Sequence, residues 1–429
     1  MAKNPVENKN GFVLRDDVLT KYRGGMGNVI IPDGVVAIKT LAFKTWGAKI
    51  TSLTIPDSVK RIEPFAFVDC KSATHFKLSS SLSRIEEGVF EGCVSLKEID
   101  LPNKIGAIEV SAFANCTNLE RVELPAKLSS IYGGAFYNCK SLKHISIPKN
   151  VKRIYDETFA NCINLETVIF QNGLKKIGKS AFNGCTKLKH IIIPESVTKI
   201  APSAFANCTS LEKVEILCDE MESIGQEAFN NCPSLKTITM PKKIKTIGEH
   251  AFKKCSSLET IIVPEGLKIL QKGIFEECKA LKSVVLPNSI VKICEEAVAL
   301  CDKLSSLNIP ANLERVGKYA FARTALTEVA LPNGTTTIGE GAFYGCRELC
   351  YIQIPETITS IGKYAFGKCN PQLLNLGCVP NSYGEKHARK NSLYRIIPLE
   401  PTTLYCHNCN TKLIEESLFC HRCGAKVKK

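Results

Sequence analysis

The chain has 429 residues, with 56 Lys and Arg against 42 Asp and Glu, a net charge of +14, and 44% hydrophobic residues. That is enough apolar material for a substantial core, and the basic balance permits acidic partners, nucleic acid or anionic surfaces without bearing on the fold. The chain has no apolar run near the ~20 residues that span a bilayer, and its 21 cysteines are an odd number set at a regular spacing, unlike a small disulfide scaffold.

In chain order, Met1 to Gly11 is polar and lacks the apolar stretch of an export signal, so the expectation is a reduced, cytoplasmic protein. Residues 1–27 read as an N-terminal capping hairpin: Phe12-Val13-Leu14, a turn at Arg15-Asp16-Asp17, then Val18-Leu19-Thr20. Gly24-Gly25-Met26-Gly27 leads into the first repeat strand.

From residue 28 to 380 one pattern recurs about every 23 residues, giving about 15 repeats. Cysteine marks it at Cys70, Cys93, Cys116, Cys139, Cys162, Cys185, Cys208, Cys232, Cys255, Cys278, Cys301, Cys346 and Cys369. Phe stands three residues before each, with Phe43 opening the series; Val298 replaces Phe once and Thr324 replaces Cys once. A period of this length specifies a solenoid, in which each turn buries its apolar face only against its neighbours. One repeat runs Leu96-Lys97-Glu98-Ile99-Asp100-Leu101-Pro102, then Ile105, Ile108, Ala112-Phe113 and Cys116. Its first part alternates as a half-buried strand with Leu96, Ile99 and Leu101 inward, and Pro102 ends the strand for want of an N–H. The Ala-Phe-x-x-Cys return predicts a short turn or helix that sends Phe and Cys inward. The ladder cysteines read as core packing rather than redox groups, while Cys350 falls at an outward position and is expected as an exposed thiol.

The pattern I-G-x-x-A-F-x-x-C-x-x-L-x-x-I-x-I-P resembles the BspA-like class of leucine-rich repeats. It departs from standard leucine-rich repeats in lacking their Asn ladder and long convex helices. The resemblance implies a curved parallel-sheet solenoid that binds proteins or cell surfaces, and many members of the class are exported adhesins.

Gly173 to Ser180 matches the phosphate-binding pattern G-x-x-x-x-G-K-S and follows a strand at Thr167 to Phe170. However, Ile177-Gly178 fills the repeat slot of Ile224-Gly225 and Ile247-Gly248, so nucleotide binding is rejected and no small-molecule substrate is expected. Outward strand positions alternate Lys97, Glu120, Lys143, Glu166, Lys189, Glu212, Lys236, Glu259, Lys282, which predicts a cross-strand charge ladder. A second outward site turns apolar in mid-array: Ile169, Ile192, Ile262 and Val285 form a broken stripe around Glu215 and Thr239. On a concave sheet these six would meet a protein partner, although β-branched residues also suit exposed strands by propensity alone. Lys60-Arg61, Arg84, Lys152-Arg153, Lys175-Lys176, Lys199, Lys242-Lys243, Lys268, Lys292 and Arg315 would stack into a basic ridge. Solubility explains such a ridge, and nucleic-acid or anionic-surface binding is the alternative.

Residues 381–397 form a C-terminal cap, with Ser382-x-x-Glu385 as a capping box for a helix through Lys390. Residues 398–405 form a linker bracketed by Pro398 and Pro401. In 406–429, Cys406-x-x-Cys409 and Cys420-x-x-Cys423 supply four thiolates for one tetrahedral, structural Zn²⁺, and the segment looks like a short zinc ribbon. Such a ribbon has almost no core of its own, so the metal would supply its folding energy. No triad or paired carboxylates converge outside the repeat template. The expected function is a non-enzymatic protein-interaction scaffold, with nucleic-acid binding and a cell-surface adhesin role as alternatives.

Overall fold

Each 23-residue period closes as one turn of a parallel β-solenoid, and the computed structural model describes residues 6–7, 10–391 and 394–399. In one turn Glu98–Ile99 is a first strand and Ala107–Ile108 a second. Each pairs in parallel with its equivalent one turn on, Glu98 with Arg121 and Ala107 with Ser130. The first strand lies in the predicted segment but is shorter than expected there: Leu101 is only half-buried and stands outside it. The second column was not anticipated. Its two-residue strands, from Arg84–Ile85 to Thr246–Ile247, form one eight-stranded sheet.

The third side of the turn is neither helix nor strand. The residue before each ladder Cys has a left-handed backbone, as at Asp69, Asn115, Asn138, Asn161, Asn207 and Asn231, and so does the residue before each Ala-Phe. Asn, Asp and Gly reach that region at least cost, which explains why they crowd the first of these positions. The resulting corners aim the amides at the next turn: Phe113 N–H donates to the Ala135 carbonyl and Asn115 N–H to Tyr137. A short run of side-chain amide bonds also forms here, Asn138 to Asn115 at 2.8 Å and Asn231 to Asn207 at 2.8 Å.

The chain divides into two compact units, Met1–Cys255 and Ser256–Lys429. In the first, the rings from Phe43 to Phe252 form a buried column, with Phe113 and Phe136 stacked 5.2 Å apart in nearly parallel planes. In the second, Phe321, Phe343 and Phe366 continue the motif at 5.2 and 5.8 Å. Leu, Ile and Ala of each turn fill the space around them.

The ladder cysteines are buried and unpaired in disulfides, as the core-packing reading expects. Each does more than fill space. The Cys116 thiol donates to the Phe90 carbonyl at 3.1 Å, Cys139 to Phe113 at 3.2 Å, and Cys162 to Phe136 at 3.2 Å. Thr324 does not reproduce this bond between turns: its hydroxyl donates to the Phe321 carbonyl of its own turn at 2.9 Å. Cys350 departs from expectation: it is half-buried, and its thiol donates to the Thr327 carbonyl at 3.2 Å.

At the amino end Phe12–Arg15 and Val18–Tyr22 form an antiparallel hairpin, turned by Asp16 at φ 51°. Val18 and Leu19 then pair in parallel with Ala37 and Ile38 of the first turn. At the other end a helix, Tyr383–Asn391, precedes Arg395–Pro398, which adds in parallel to Asn375–Cys378. The Ser382 hydroxyl accepts from Glu385 N–H at 3.2 Å, and the Glu385 carboxylate accepts from Asn381 N–H at 2.7 Å. The cap therefore reaches back one residue further than a simple capping box, and Pro398 is the last residue of a strand.

Candidate functional site

The first sheet column presents side chains that the period-2 pleat sends outward. Ile169 is 55% exposed, Ile192 52%, Ile262 68% and Val285 46%, whereas the inward neighbours Val168, Ile191, Ile261 and Val284 are buried. In the first unit Ile169 stands opposite Ser146, and Ile192 opposite Glu215, on paired parallel strands. Glu215 is half-buried and its carboxylate meets Lys213 at 2.6 Å; Thr239 is exposed. In the second unit Ile262 and Val285 face each other directly in register. Equivalent positions in other turns hold Asp100, Glu123, Ser146 and Asn308, all exposed.

Beside this column the Lys/Glu alternation closes as ion pairs at Lys236–Glu212, 2.8 Å, and Lys282–Glu259, 2.9 Å. The bonding lysines hold the Glu212 and Glu259 carboxyls below their usual range. His144 and His190 are exposed on the same strands.

The second column carries most of the basic residues, but not as one continuous ridge. Arg61 meets Glu63 at 3.1 Å and Arg84 meets Glu109 at 3.2 Å. Lys242 and Lys243 lie in a turn off the column, paired with Asp219 and Glu220 at 2.8 and 2.6 Å. True in-register stacking of cations occurs at Arg153–Lys176–Lys199 in the first unit and Lys292–Arg315 in the second. The strand segment that creates this register escaped the sequence reading. Its signal was the slot after each inward Ile, which holds Glu109, Tyr132, Tyr155, Gly178, Ala201 and Gly225 in turn.

The phosphate-loop lookalike spends most of its amides on the neighbouring turns. Lys175 N–H donates to Lys152, Gly178 N–H to Ile154 and Ser180 N–H to Pro202 carbonyls, while Lys179 N–H is taken by the Asp156 carboxylate at 2.8 Å. A Cβ on Gly178 would sit 2.6 Å from the Tyr155 carbonyl carbon, so glycine is there for the stacking of turns. Among the described residues no group of three or more His, Cys, Asp or Glu could hold a metal. Cys406, Cys409, Cys420 and Cys423 lie outside the described residues. No helix among those described is long and apolar enough to cross a membrane.

Against known proteins, residues 36–166, 152–282, 268–393 and 314–415 match the model of the BspA type leucine rich repeat region. A leucine-rich repeat protein from Bacteroides ovatus is 26% identical, with 93% of this chain and 98% of that one covered and a TM-score of 0.71. A leucine rich cell surface protein from Faecalibacterium prausnitzii is 25% identical over 93% of this chain and 99% of that one, with a TM-score of 0.48. The T. pallidum leucine rich repeat protein is 32% identical over 40% of this chain and 82% of that one, with a TM-score of 0.37. Among curated proteins none matches. With the repeat model matched along most of its length, the chain belongs to the BspA-type leucine-rich repeat family.

Proposed function

We propose that this protein is a non-enzymatic scaffold that captures protein partners on the exposed face of its first sheet column. A leucine-rich repeat solenoid is typically a binding scaffold, which supports the general class. The finer reading rests on one observation: Ile169, Ile192, Ile262 and Val285 are about half or more exposed at a position where most other turns place a polar residue such as Lys77, Asp100, Glu123, Ser146 or Asn308, with Ile30 and Ala330 as apolar exceptions. Large apolar groups on a polar surface mark contact sites, here Ile169 and Ile192 in the first unit and Ile262 and Val285 in the second. Glu215, ion-paired to Lys213, and Thr239 would form the polar rim.

Replacing Ile192 and Ile262 with Glu is expected to abolish capture of proteins cross-linked in native cells and identified by mass spectrometry. The fold should survive, because both side chains point away from the core. Capture unchanged by the pair would remove the apolar stripe from the proposal.

The proposal also gives the C-terminal cysteines Cys406, Cys409, Cys420 and Cys423 a single structural zinc, on the strength of their two C-x-x-C spacings. Elemental analysis of the full chain purified without chelator should find one zinc per chain, lost when Cys409 and Cys420 become Ser. A wild-type chain without zinc contradicts it. A reducing cytoplasm suits the unpaired ladder thiols, and recovery of the native protein from the cell surface would contradict that placement.

A further inference from the structure

We propose that the outer face of the second sheet around Lys152, Arg153, Lys175, Lys176 and Lys199 binds single-stranded nucleic acid, with Tyr132 and Tyr155 as its stacking platform. Arg153 stands directly opposite Lys176, and Lys176 opposite Lys199, on adjacent parallel strands. Strands in a sheet lie ~4.8 Å apart, so the three cations form a tight row, with Lys152 and Lys175 beside it. Like charges directly opposite destabilise a sheet. Elsewhere it recurs as the single pair Lys292 and Arg315 of the second unit, whereas Lys alternates with Glu on the first column, and Arg61 and Arg84 each meet a carboxylate on their own column. Here, among the described residues, the row meets one carboxylate only, Glu222 on Lys199 at 2.8 Å.

The neighbouring slot adds a second, independent feature. Tyr132 and Tyr155 are the aromatic residues of a slot that otherwise holds Lys39, Glu63, Glu86, Glu109, Gly178, Ala201, Gly225 and Gly248 in the first unit. Their rings lie 4.9 Å apart and tilted by 35°, half-buried rather than in the core, and the Arg153 guanidinium sits 5.4 Å from the Tyr155 ring. Cations that track a backbone beside aromatic rings that take bases are the two components of single-strand recognition. A small anion meets one or two cations of the row, whereas a polymer adds its contacts along it and releases counterions with each. An acidic peptide would use the cations and leave the tyrosines idle.

The test is fluorescence anisotropy of a labelled oligothymidine with the full chain, between about 50 and 200 mM salt. Dextran sulfate and polyglutamate serve as parallel ligands. Binding should weaken steeply with salt, and Arg153→Gln with Lys176→Gln should weaken it about tenfold and lower the salt slope by about 1.4. Tyr132→Leu should weaken oligothymidine binding several-fold and leave dextran sulfate binding unchanged, which also shows that the variant is folded. Absent binding, or binding indifferent to the charge pair, overturns the proposal. Equal loss of all three ligands in the tyrosine variant, or no loss of any, overturns the nucleic-acid assignment in favour of a general polyanion surface. Ile192→Glu should leave oligothymidine binding intact, so this surface stands or falls apart from the protein-binding column.

Discussion

Burial pushes the Cys162 and Cys232 thiols up to about 12. Cys301 rises to about 12 by the same desolvation, although the backbone bond from the preceding turn opposes it. In the unfolded chain these thiols titrate near ~8.5. Between the two values the folded protein keeps protons that the unfolded chain releases, so the stability they contribute is complete below about pH 8.5 and is lost as pH rises. Each such thiol removes about 1.4 kcal/mol per pH unit in that window. The urea midpoint of the fully reduced protein should therefore fall steeply from about pH 8 to about pH 10, and more gently after Cys162→Ala. A midpoint that holds steady across that range would contradict the native thiol environment. That Phe and Cys are buried was legible from the period alone. That thiols such as Cys116, Cys139 and Cys162 bond the Phe carbonyl of the turn before was not, because a residue type in one sequence does not reveal where a donor points.

At the scale of the element, alternation exposed the first strand column because four or five residues are enough to show a period of two. The second column consists of residue pairs such as Lys176–Ile177, too short for any period, so its sheet became visible only in three dimensions. The basic residues were legible as a group, yet their division into neutralised and unneutralised stretches depended on partners such as Glu63 and Glu109 two or more residues away. The Lys236–Glu212 pair joins two successive turns with both groups partly solvated, so a double-mutant cycle with Gln at each should give only a small coupling. That coupling should fade at about 1 M salt; a larger, salt-insensitive value would mean that the pair is part of a wider buried network.

For the whole molecule, repetition makes stability a sum of turns and their interfaces, so its two ends carry the burden of termination. The amino end is closed by the hairpin of Phe12–Arg15 and Val18–Tyr22, whose second strand pairs with Ala37–Ile38. Deleting residues 1–22 should expose that pairing edge together with Ile38 and Phe43. The truncated chain is expected to elute as concentration-dependent higher oligomers in size-exclusion chromatography with light scattering, while the full chain keeps its own mass. A truncated chain of the same oligomeric state as the parent would show that the hairpin does not guard the edge.

The backbone of Asp16, left-handed where the hairpin reverses, thus decides more than a local turn. Strands that enter antiparallel and leave parallel cannot be copied by a further turn of the same hand. A solenoid turn brought to this face would find a strand running against its own, a reversal of direction that the paired strands of the repeats do not make.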